Sequence, residues 1–197
     1  MTYTEYLGLI DSLLLEGKTT GPNQSADMFG YAKLNRQRLG RLEKTVVLRD
    51  STKNTVRSST RPMIWLLITE GWCGDAAQNI PVIEKIAAEN ANIETRYILR
   101  DENLELIDRY LTNGARAIPK LIALDAETLE VLFTWGARPQ AAQDYFLEQK
   151  ALGAEKAVIM EGLQRWYNSD KGESVQDDFE ALLKGISVSA ETVSAIV

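Results

Sequence analysis

The chain has 197 residues, 45% of them hydrophobic and 25% charged, with a formal net charge of −6, one cysteine and no histidine. That size and composition suit a globular domain carrying extensions. A lone Cys73 without histidine excludes a Cys-His or Ser-His catalytic pair, a cysteine-based metal cluster and an internal disulfide, so neither metal nor cofactor is expected.

Tyr6, Leu7, Ile10, Leu13 and Leu14 share one stripe of a helix over Tyr3 to Leu15, closed by Gly17. Gly21-Pro22-Asn23 makes Thr19 to Ser25 a loop. Leu34, Leu39 and Leu42 anchor a second helix from Ala32 to Leu42. The β-branched run Thr45-Val46-Val47-Leu48 reads as a short strand, and polar Asp50 to Thr60 as turn-like. Pro62 to Thr69 is a continuous apolar strand, the pattern of a sheet covered on both faces. Ala76 to Asn90 has helical spacing through Ile80, Ile83, Ile86 and Ala87. Pro81 inside it removes one backbone hydrogen bond and predicts a kink.

A strand over Ile93 to Leu99 and a short helix over Leu104 to Leu111 follow. Lys120 to Leu124 and Val131 to Trp135 flank the turn Asp125-Ala126-Glu127, which implies an antiparallel hairpin. Further helices run over Pro139 to Lys150 and from about Ala154 to Trp166. Ser174 followed by Asp177 signals the cap of a last helix ending near Leu183, and Ile186 to Val197 has too weak a period to assign. Strand, helix, strand, helix, hairpin, helix describes a mixed α/β sandwich with helices before and after it.

No apolar run approaches the roughly 18 residues of a bilayer span, and Met1 to Glu5 has no basic stretch followed by an apolar one. No membrane and a cytoplasmic address are the expectations. Charge is unevenly spread. From Tyr31 to Arg61, nine basic residues stand against Glu43 and Asp50, making that segment +7 and the rest −13. Such a strip suits a solvated helix face docked on an acidic body; nucleic acid is the lesser reading, since no aromatic platform accompanies it.

The stretch Thr69-Glu-Gly-Trp-Cys-Gly-Asp-Ala-Ala-Gln78 ends a buried strand and opens a helix, which puts Cys73 at a helix N-terminus. Free N–H groups and the helix dipole there favour a thiolate, while Asp75 and Glu70 oppose it. Asp75 also suits the helix cap. The net expectation is a thiol less acidic than that of a strong oxidant.

Trp72-Cys73-Gly74 resembles the Trp-Cys-Gly-Pro-Cys motif of the thioredoxin superfamily, with Asp75 in place of proline and Ala76 in place of the second cysteine. Arg116-Ala117-Ile118-Pro119 is similar to the family's cis-proline segment, and Gly136 to the glycine after its final strand. The form Trp-Cys-Gly-Asp-Ala is similar to a bacterial single-cysteine branch. The resemblance covers roughly Val46 to Leu152 and implies a thioredoxin-like three-layer sandwich over 46–152, a helical extension over 1–45 and another over 153–197. It implies that Cys73 is the catalytic thiol, with Trp72, Gly74, Asp75, Ile118, Pro119 and Gly136 framing a groove.

The departures bear on function. Ala76 cannot resolve a mixed disulfide, and Leu67 stands where the family keeps a buried aspartate, so a self-sufficient disulfide reductase is not expected. Two readings remain. One is monothiol exchange by Cys73 with a client protein or a small, glutathione-like thiol. The other is a redox-inactive binding module using the same groove.

Overall fold

The structure is a computed structural model that describes residues 1–194. Three helices come first: α1 (Tyr3–Leu15), α2 (Ala26–Thr45) and α3 (Asp50–Ser58). The central unit then runs β1 (Met63–Thr69), α4 (Gly74–Ala88), β2 (Ile93–Leu99), α5 (Leu104–Ile107), β3 (Lys120–Asp125), β4 (Val131–Gly136) and α6 (Gln140–Ala151). It is followed by α7 (Lys156–Asp170) and α8 (Glu173–Ser194). The expected weakly periodic tail is helical as far as Ser194; residues 195–197 lie outside the described residues.

The four strands form one mixed sheet in the order β2-β1-β3-β4, flanked by helices. β1 pairs parallel with β2 and antiparallel with β3, and β3 pairs antiparallel with β4. Residues opposite one another in a ladder share a face, so Trp65, Tyr97, Phe133 and Trp135 project to one side. There Trp65 packs on Phe179 of α8 with centroids 5.0 Å apart, and Tyr97 stacks on Tyr6 of α1 at 5.2 Å. The other side is less covered: Ile64 and Leu66 of β1 are only half-buried. The expectation of a strand sealed on both faces is therefore corrected along its first half.

Local chemistry explains the helix starts. Thr2 and Glu5 form a reciprocal capping box on α1, and Ser25 accepts from the Met28 amide on α2. The segment expected to be turn-like is α3, because Thr52 and Val56 share one buried face against α8. Thr52 Oγ1 donates to Glu180 at 2.7 Å, and Gln176 accepts the Arg49 amide at 2.8 Å. A helix held by side-chain hydrogen bonds from a partner 124 or more residues away leaves no apolar period to read. Val46 to Leu48 does not form the expected strand. It alternates buried, exposed, buried, but its carbonyls go to side chains: Lys85 Nζ donates to Val46 O at 2.5 Å. The helix α4 continues through Pro81 without interruption, with the proline itself buried. Among the described residues, no helix is long and apolar enough to cross a membrane.

Candidate functional site

Strand β1 carries the chain to Glu70, Gly71 and Trp72, and Cys73 is the residue that begins α4. Its backbone is extended (φ −80°, ψ 117°), and its sulfur is the cap: the Ala76 amide donates to Sγ at 3.4 Å. The expected cap, Asp75, sits instead in the first turn with its carboxylate turned away. It accepts Arg138 Nη2 at 2.5 Å, Arg138 Nε at 3.2 Å and the Tyr167 hydroxyl at 2.7 Å. A charged guanidinium and a buried phenol hold that carboxylate more strongly than the first-turn amides.

The Ile118–Pro119 peptide is cis and lies beside the thiol, since Cys73 Sγ donates to the Ile118 carbonyl at 3.2 Å. Gly136 closes the third side. Its φ is +119°, and a Cβ there would stand 2.2 Å from Pro119 O. Cys73, Ile118, Pro119 and Gly136 thus meet at one place, as do Gly74 and Asp75 by chain continuity. Trp72 is half-buried, with the Arg100 guanidinium 4.8 Å over its ring and the Gly21 loop against its indole nitrogen. Arg116 takes a bidentate ion pair with exposed Asp108.

The sulfur is largely covered, with the whole residue 8% exposed. Burial first, and the Asp75 charge second, push the Cys73 thiol up to about 12; the Ala76 and Asp75 amides and Arg138 pull the other way and lose. The amide bonds at a helix start are worth less than the desolvation of a thiolate at this site. Glu70 is fully buried, accepts the Asp101 amide at 2.9 Å, and is itself pushed toward the neutral form by burial. No group of three or more Cys, Asp or Glu side chains suited to a metal occurs among the described residues.

Five contributors carry no motif signal in the sequence. Arg138 follows Gly136 by two residues but could be assigned to no role without its distance to Asp75. Tyr167 reaches the site from α7, 92 residues away, and Asn79 donates to its hydroxyl at 3.2 Å. From α2, Asn35 donates to Gly71 O at 3.3 Å and Arg38 comes within 3.8 Å of where a Gly74 Cβ would sit. Both terminal extensions therefore touch the Cys73 loop. Replacing Asp75 by Asn removes the charge that opposes the thiolate and frees Arg138 to favour it. The Cys73 pKa should fall, and the alkylation rate at pH 8 should rise about tenfold for each unit of that fall. Iodoacetamide kinetics on D75N against the parent chain checks this, and an unchanged rate would refute it.

A family model described as Thioredoxin matches residues 21–158. Two solved structures are similar over nearly their whole lengths. A protein of unknown function from Pseudomonas aeruginosa is 22% identical with a TM-score of 0.56, the match covering 94% of this chain and 98% of that one. An HIV epitope-scaffold is 21% identical with a TM-score of 0.54, covering 94% and 99% respectively. Identities at this level bear on the fold alone. No curated protein matches the chain.

Proposed function

We propose, on the premise that this chain belongs to the thioredoxin family, that it is a single-cysteine binding module: the groove beside Cys73 and the Ile118–Pro119 bend grips an extended segment of a client protein without turning over disulfides. One observation carries this reading. The only thiol is buried and spends its proton on Ile118 O at 3.2 Å, so the nucleophilic form is disfavoured at the place where chemistry would begin. The absence of a resolving thiol at Ala76 supports it.

The native protein should show no insulin-disulfide reduction without added thiol. Cys73 should react with iodoacetamide at pH 8 at least about a hundredfold more slowly than in the urea-unfolded chain, where its pKa is ordinary. Equal rates in the two states would refute the reading. In the labelled protein, adding an extended peptide should shift the Trp72 indole and Ile118 amide resonances.

Monothiol exchange is the second reading, and the Ala76 amide on Sγ favours it, because that bond stabilises a thiolate once one forms. Here the Cys73 thiolate would attack one sulfur of a disulfide and expel the other as thiolate. An external glutathione-like thiolate would then attack the partner's sulfur in the mixed disulfide, form a new disulfide with it and expel Cys73 as thiolate, so that the external thiol is oxidised and Cys73 is returned reduced. Rapid stoichiometric formation of a Cys73 mixed disulfide from oxidised glutathione would select this reading over the first.

A further inference from the structure

Of the nine basic residues between Tyr31 and Arg61, five form ion pairs within the chain: Arg36 with Asp11, Arg49 with three carboxylates of α8, Lys53 with Asp50, Arg57 with Glu89 and Arg61 with Asp125. The other four are Lys33, Arg38, Arg41 and Lys44, and among the described residues none of them meets a carboxylate. All four lie on α2. At about 100° per residue they fall on one arc of that helix, with Leu34 among them and Tyr31 at its edge. The opposite arc holds the buried Ala32, Asn35, Leu39 and Leu42. Glu43 also lies away from the basic arc and accepts the Tyr3 hydroxyl at 2.7 Å.

The face is more than a set of solvated cations. Leu34 among the cations and Tyr31 at their edge are 43% and 53% exposed. Arg38 is half-buried, its Nη1 on Asn35 Oδ1 at 3.0 Å, and burial together with the Arg41 charge pushes it down from its ordinary pKa. A partly desolvated guanidinium whose charged neighbour is another arginine is stabilised by an arriving anion. Arg38 is also the residue that reaches Gly74, so the face runs up to the Cys73 loop.

We infer that the exposed face of α2, from Tyr31 to Lys44, docks an acidic segment of a client protein that carries an apolar side chain for Tyr31 and Leu34, and that it continues the groove beside Cys73. This deepens the binding reading above and rests on it. Nucleic acid fits less well. The acidic remainder of the chain, −13 outside the basic segment, repels a long polyanion that extends past these four cations, and exposed Leu34 has no use for phosphate. A short acidic peptide feels the local patch within a Debye length of about 8 Å.

The test is fluorescence anisotropy with the full chain and three labelled probes: an extended glutamate-rich peptide with one leucine, the same peptide with glutamine for every glutamate, and a single-stranded DNA oligonucleotide. The acidic peptide should bind most tightly and weaken with added salt. The double charge reversal K33E/R41E, at exposed positions with no internal partner, should weaken it about tenfold or more, while K33R/R41K keeps it. Urea unfolding of each variant confirms that the fold is retained. Binding unchanged in K33E/R41E, or DNA bound more tightly than the acidic peptide, would overturn the inference. Equal affinity for the glutamate and glutamine peptides, with the Trp72 and Ile118 resonances still shifting, would sink the α2 face and leave the groove. Acidic-peptide binding that K33E/R41E weakens, with those resonances unmoved, would sink the groove instead.

Discussion

Gly136→Ala should cost the protein about 4 kcal/mol or more, enough to leave it largely unfolded or insoluble. Two terms act together. The backbone at φ +119° lies where side chains other than hydrogen are rarely accommodated, and the new methyl would stand 2.2 Å from Pro119 O and 3.3 Å from Lys120 Cα. Both obstacles are backbone atoms of the neighbouring strand end, which cannot swing aside as a side chain could. Gly30→Ala inside α2 is the control. Nothing lies within 4 Å of its added methyl, so it should stabilise by up to about 1 kcal/mol through helix propensity. Urea unfolding of the two variants would settle the contrast, and a G136A protein as stable as its parent would show the site to be wrongly drawn.

Phe179→Ala is expected to cost about 3–5 kcal/mol, a typical figure for removing a buried aromatic ring. The ring is fully buried, with centroids 5.0 Å from Trp65, 5.7 Å from Trp135 and 6.3 Å from Phe133, so the space it leaves is bounded by rigid sheet residues and cannot collapse. On a chain of this size the melting temperature should drop by roughly 10 °C. Because α8 also holds α3 through Thr52 and Arg49, the loss should spread to α3, read as faster amide exchange over Asp50 to Ser58. A loss below about 1 kcal/mol would mean that α8 rests on the sheet without supporting it.

What the sequence made legible was the part written in local pattern. The apolar run of β1, the 3.6-residue spacing of α4 and the hairpin turn after β3 mark the sheet, and Trp72-Cys73-Gly74 and Ile118-Pro119 mark two segments that the fold brings into contact. The failures share a cause. α3 is helical because a polar face finds partners on α8, so its stabilising atoms lie more than 120 residues away in the chain. Val46 to Leu48 has the composition of a strand but no neighbouring strand to pair with, and composition cannot report a missing neighbour. Chain proximity points Asp75 to the nearest amides, whereas Arg138 and Tyr167 claim it. The burial of Cys73 could not be read either, because it depends on packing between elements far apart in sequence.

Arg38 and Tyr167 approach the same short loop from opposite termini of the chain, one beside Gly74 and the other on the Asp75 carboxylate. The sulfur at the start of that loop is tied in turn to the Ile118 carbonyl across the sheet end. The loop that carries the thiol is therefore braced by segments lying before and after the sheet, and loosening either one removes a support that the strands themselves do not supply.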